Sequence, residues 1–89
     1  MPIVVSGGKP QRSDVRVREL WIGNLPESIT KEQLYSHFFI CGEIEEIELL
    51  RQNKNYPFYA FIRFKLTLCT KRAYDLAQNL EIGGHKLKV

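Results

Sequence analysis

The stretch "FYAFIRF", residues 58 to 64, is aromatic and apolar apart from Arg63, a composition that favours a β-strand. Side chains of a strand alternate between its two faces, so Phe58, Ala60, Ile62 and Phe64 fall on one side and Tyr59, Phe61 and Arg63 on the other. One set must meet a packed layer. A small Ala60 beside an aliphatic Ile62 suits packing against helices, so the even-numbered set is assigned to the core. Tyr59, Phe61 and Arg63 then point to the opposite, open side.

The same logic extends to both sides of this strand. In "ELWIGN" (19 to 24) Leu20 and Ile22 make the inner pair and Trp21 points outward, and Pro26 closes the segment. Thr30, followed three residues later by Gln33, has the spacing of a capping box and starts a helix with Leu34 and Phe38 on one face, stopping at Gly42. "IEEIELLR" (44 to 51) reads as a strand with Glu46 and Glu48 on the open face, joined to the central strand by the loop "RQNKNYP". A second helix fits residues 67 to 80, where Ala73, Leu76, Ala77 and Leu80 recur at three and four residues. Gly83-Gly84 turns the chain into "KLKV" (86 to 89), with Leu87 and Val89 inward and Lys86 and Lys88 outward. The order β-α-β-β-α-β predicts an α+β, ferredoxin-like split βαβ fold: a four-stranded antiparallel sheet with two helices on one face and the other face open.

Bulk properties narrow the function. The 89 residues suffice for one domain, and 44% hydrophobic with 26% charged residues is ordinary for a globular protein. No apolar run approaches the roughly 20 residues of a membrane span, and no secretory signal pattern opens the chain, so it reads as a soluble, intracellular protein without membrane contact. Cys41 and Cys69 have neither metal-ligand spacing nor disulfide-scaffold density and are expected to be reduced, buried thiols. His37 and His85 are isolated, so neither a metal nor any other cofactor is expected. The net charge is +3, but it sits in the first 18 residues, which hold four basic residues and one acid; residues 19–89 hold nine of each. Residues 1–17 read as a flexible basic leader and 18–89 as the domain. A polyanion-binding role must therefore rest on placement of side chains, not on overall charge.

Trp21, Tyr59 and Phe61 together would form an exposed aromatic cluster bordered by Arg63, Lys86 and Lys88, and such a cluster needs a covering partner. Flat rings beside cations match the π-faces and phosphates of single-stranded nucleic acid. Here the sequence resembles the RNA recognition motif family, over about residues 18 to 89. "LWIGNL" (20 to 25) is similar to the family's hexamer, with Trp21 at its stacking position, and "PFYAFIRF" (57 to 64) is similar to its octamer, with Tyr59 and Phe61 at the other two. The resemblance implies single-stranded RNA as partner, with single-stranded DNA or structured RNA as variants, a monomer and a nuclear location. The octamer departs from the family where Pro57 and Phe58 replace a basic residue and glycine; Lys54, Arg63 or leader arginines, together with Arg18, are the candidate substitutes for the missing cation. Asn24 is a further candidate contact, with capping of the loop after the first strand as its alternative role. "YPFYAFIRF" and "LEIGGHKLKV" are also similar to motifs of the split-ends (Spen) group, nuclear RNA-binding corepressors with several such domains.

Two other function classes are compatible with this topology. Acylphosphatases share the topology but need a glycine-bearing phosphate loop with an arginine after the first strand; "NLPESIT" has neither, and no nucleophile has an activated partner, so no enzyme activity is expected. Peptide-binding members of the family use an Arg-x-Phe motif, for which this chain has "GGHKL", and an acidic first helix, in which Glu32 is the single acid. A peptide dock on the helix face stays open as the alternative.

Overall fold

The computed structural model describes residues 18–89; the expected leader, residues 1–17, lies outside them. The elements are β1 (Glu19–Leu25), α1 (Lys31–Phe38) with a 3-10 turn (Phe39–Cys41), β2 (Ile44–Leu50), β3 (Phe58–Phe64), α2 (Thr67–Ala77), β4 (Glu81–Ile82) and β5 (His85–Lys86). The sheet is antiparallel in the order β1-β3-β2, so the aromatic strand is central. The fourth strand of the expected sheet is reduced. β4 and β5 form a hairpin through Gly83 and Gly84, both at positive φ as a two-residue turn of the primed type requires; beyond it Leu87 is buried in the core, as expected, and Lys88 bridges Gly23 of β1.

Core placement follows the predicted alternation. Leu20 and Ile22 of β1 and Ala60, Ile62 and Phe64 of β3 are buried with Leu34 and Phe38 of α1 and Cys69, Ala73 and Ala77 of α2. Burying a side chain such as Phe38 or Phe64 stabilises the fold by about 1.5–3 kcal/mol. Thr30 accepts from the Gln33 backbone N–H, and the Gln33 side chain accepts from the Thr30 N–H, so the capping box is formed.

Two β-bulges set which residues face where. In β1 Ile22 pairs with Ala60 and Leu25 with Phe58, leaving one extra residue, and Asn24 takes φ 61 there. The bulge shifts the alternation by one, which is why Leu25 is buried although it has the parity of Trp21. In β2 the extra residue is Glu45, between the pairs Ile44–Phe64 and Glu46–Arg63.

Some boundaries differ from the sequence reading. α2 ends at Ala77, because the Leu80 carbonyl accepts from the Leu87 N–H, drawing Leu80 out of the helix and into the hairpin. Leu76 lies within α2 but is exposed, because the helix buries the face that carries Cys69, Ala73 and Ala77. Val89 is 40% exposed instead of inward, since the chain meets the sheet at a single bridge and packs no further along it.

Candidate nucleic-acid interface

Register fixes the open face. Residues paired across an antiparallel sheet share a face, so the pairs Trp21–Phe61 and Phe61–Glu48 put these three side chains in one row. The pairs Glu19–Arg63 and Arg63–Glu46 make the row on one side of it. The pair Tyr59–Leu50 belongs to the row on the other side, and Lys88, opposite Gly23, reaches the same face at that end. Trp21 is 40% exposed and its ring centroid lies 6.3 Å from that of Tyr59, which in turn meets Phe61 edge-on at 6.1 Å. Three rings therefore stand together on the side of the sheet away from the helices.

A cleft of about 310 Å³ adjoins this platform, lined by Trp21, Gly23, Asn24 and Tyr59 from the strands, Gln52, Tyr56 and Pro57 from the β2–β3 loop, and Phe58 and Lys88. Gln52 and Tyr56 were not singled out in the sequence. For Tyr56 a signal existed, an aromatic in the turn-forming loop just ahead of the aromatic strand; for Gln52 none did. Arg51 holds this loop in place. Its Nε donates to the Tyr56 carbonyl at 2.9 Å, its Nη2 donates to the Glu27 carboxylate and to the Lys54 carbonyl, and its guanidinium lies 4.6 Å from the centroid of the Phe58 ring. Phe58, which stands where the family's octamer has glycine, thus supports a cation worth about 0.5–1 kcal/mol in an exposed site.

The predicted cations are dispersed. Arg63 lies on the open face, but its Nη1 donates to Glu46 at 3.0 Å and its Nη2 is 3.8 Å from Glu19, so two carboxylates already neutralise it. Arg18, expected at the interface, is instead 6% exposed: its Nη1 donates to Glu45 at 2.9 Å and to the Phe64 carbonyl at 3.1 Å, which makes it a buried pin at the sheet's edge. Lys54 is exposed and lines an adjoining cleft with Glu27, Arg51 and His85, which shares Tyr56, Pro57 and Phe58 with the platform's cleft but does not include Trp21. Lys86 is exposed and pairs with Glu81 in the hairpin, outside the platform's cleft. Asn24 combines both anticipated roles, donating from Nδ2 to the Lys86 carbonyl at 2.8 Å while lining the cleft. Lys88 is the one predicted cation beside the rings with no carboxylate partner among the described residues.

Elsewhere, Cys41 and Cys69 are buried free thiols, and burial pushes the Cys41 thiol up from its ordinary 9.0, with Cys69 adding to the shift and Arg72 opposing it. Among the described residues no group of three metal-ligating side chains occurs, and no helix is long and apolar enough to cross a membrane.

An open antiparallel sheet backed by two helices and bearing three central rings defines a class. The family model for the RNA recognition motif matches residues 20–88, and the chain belongs to that family. It is similar to protein split ends of Drosophila melanogaster, 35% identical over 72 residues that cover 81% of this chain and 1% of that protein. It is 25% identical to polyadenylate-binding protein 2 of Arabidopsis thaliana over 89 residues, 99% of this chain and 40% of the relative. The chain thus spans less than half the length of either. Among solved structures, the third RNA recognition motif domain of Mip6 superposes with a TM-score of 0.75 at 21% identity, over 84% of this chain and 93% of that one. An SXL-lethal protein/RNA complex gives 0.70 at 26% identity, over 80% of this chain and 44% of that one.

Proposed function

We propose that the chain is a single-stranded RNA-binding module in which Trp21, Tyr59 and Phe61 each stack a base while Lys88 contacts the phosphate chain. The observation that carries this reading is the cross-strand row Trp21–Phe61 with Tyr59 beside it, three rings on the face opposite the helices. The similarity to a protein of the same family in complex with RNA supports it. Asn24 and Tyr56 flank the rings and would contact the same strand. Arg63 would serve chiefly to brace the face, and Arg18, Lys54 and Lys86 would contribute little. Binding, not catalysis, is the activity. The likeness to split ends further supports a place in a longer nuclear protein that regulates transcription.

Each base stacked on an aromatic ring is worth about 1–3 kcal/mol. Removing two rings should therefore weaken binding by at least about thirtyfold. The test is titration of a randomised single-stranded RNA pool with the native chain and with Tyr59→Ala/Phe61→Ala, circular dichroism checking the fold. Equal affinities would discard stacking, and no binding by the native chain would discard RNA as partner. Parallel titration with single-stranded DNA and with hairpin RNA separates the variants of the ligand.

A second reading has its own support. Tyr35 of α1 and Phe39 of the 3-10 turn stack at 5.8 Å, Ile40 beside them is 74% exposed, and an adjoining groove is lined by Lys31, Glu32, Tyr35, Ile44 and Ile47 with Glu45 and Glu46, which are paired with Arg18 and Arg63. This surface suits a peptide with an apolar anchor. Tyr35→Ala/Ile40→Ser would abolish such docking and leave RNA affinity unchanged.

A further inference from the structure

The acidic end of the open face is not uniform. Glu46 and Glu19 both engage Arg63, whereas Glu48 has no cation partner among the described residues and stands directly opposite Phe61 in the register. Directly paired residues of antiparallel strands have Cβ atoms about 4.5–5.5 Å apart, so a base lying on the Phe61 ring would bring one edge within reach of this carboxylate. From the geometry we infer that Glu48 reads the base stacked on Phe61, selecting an edge rich in hydrogen-bond donors, with guanine as the preferred occupant; the inference rests on the RNA-binding reading above.

The chemistry is one-sided. An ionised carboxylate only accepts hydrogen bonds. Guanine presents N1–H and the N2 amino group side by side on its Watson–Crick edge, a pair of parallel donors that both carboxylate oxygens can take at once. Adenine and cytosine offer one amino group next to an acceptor nitrogen. Uracil offers a single N3–H between two carbonyl oxygens, which the carboxylate repels. Glu48 is also poorly suited to any phosphate contact, and Lys88 lies toward the opposite end of the face, so the phosphate chain is steered away while a base edge is admitted. Bidentate readout of a base by a side chain commonly discriminates by about fivefold to a hundredfold, and an exposed carboxylate belongs near the lower end.

The test is fluorescence anisotropy of the full chain with labelled octamers of uridine in which one central residue is guanosine, adenosine, cytidine or uridine. Native protein should bind the guanosine octamer at least about fivefold tighter than oligouridine, with adenosine and cytidine between. Glu48→Gln should erase that ranking while keeping or raising affinity for oligouridine, because the amide carries no charge and can donate to a uracil carbonyl. Phe61→Ala should lower affinity for all four. Equal binding of the four octamers by native protein, or a guanosine preference that survives Glu48→Gln, overturns the inference and leaves the RNA-binding reading standing. No binding of any octamer by native protein overturns both.

Discussion

The benzo ring of Trp21 lies over Gly23, two residues along the same strand face, where a Cβ would fall 2.4 Å from the indole Cη2. Glycine at this position is therefore part of the platform, since any side chain would lift the indole off its seat. Gly23→Ala should weaken RNA binding by about 1–3 kcal/mol, the scale of one lost stack, with an altered tryptophan emission and a nearly unchanged melting temperature. Retention of both native affinity and native emission would show the seat to be dispensable. Cys41 makes a separate prediction. Its thiol is raised in the folded state by burial, so the unfolded chain ionises it first as pH rises. Its contribution to stability is complete below the ordinary 9.0 and is lost progressively above it. Cys41→Ala should flatten the fall in melting temperature above that pH, although losing the buried sulfur lowers stability at neutral pH as well.

At the scale of elements, the two bulges decide more than the strands do. The bulge at Asn24 returns Leu25 to the core, and the bulge at Glu45 lets that carboxylate leave the ladder and reach Arg18. Arg18 is nearly enclosed and its guanidinium also donates to the Phe64 carbonyl, so removing its counterion strands a buried charge. Glu45→Ala should destabilise the domain by about 1–3 kcal/mol in urea unfolding, whereas Glu48→Ala, exposed and unpaired, should change stability by less than about 0.5 kcal/mol. Similar losses for both would deny Arg18 its structural role. Repetitive alternation made the strands legible, but a bulge is one inserted residue without a composition of its own, and neither was anticipated. The burial of Arg18 was not legible for that reason: its partner becomes reachable only after Glu45 leaves the ladder.

Across the whole molecule, charge is arranged as two ends on one face, with Lys88 beside Tyr59 and Trp21, and Arg63 held between Glu19 and Glu46 beyond Phe61. Binding to single strands releases counterions in proportion to the phosphates neutralised, with a slope of about −0.7 per contact in log affinity against log salt. A clamped Arg63 contributes little to that slope. Glu19→Gln/Glu46→Gln frees it, and should raise RNA affinity at low salt and steepen the slope by about 0.7 relative to the native chain. An unchanged slope would mean that Arg63 lies off the path of the phosphates.

The sequence alone determined the order of elements, the core parity of the central strand and the projection of Trp21, Tyr59 and Phe61, because period-two alternation, a capping box and paired glycines are local properties written into neighbouring residues. It also marked Glu46 and Glu48 as outward. Only the tertiary structure decided which charges remain available: that Arg63 is occupied, Arg18 buried, Lys54 in an adjoining cleft, Lys86 in the hairpin, and Lys88 left beside the rings. Charge availability depends on partners 17 to 46 residues away in the chain, and those separations are closed by strand register and bulges, not by any local pattern.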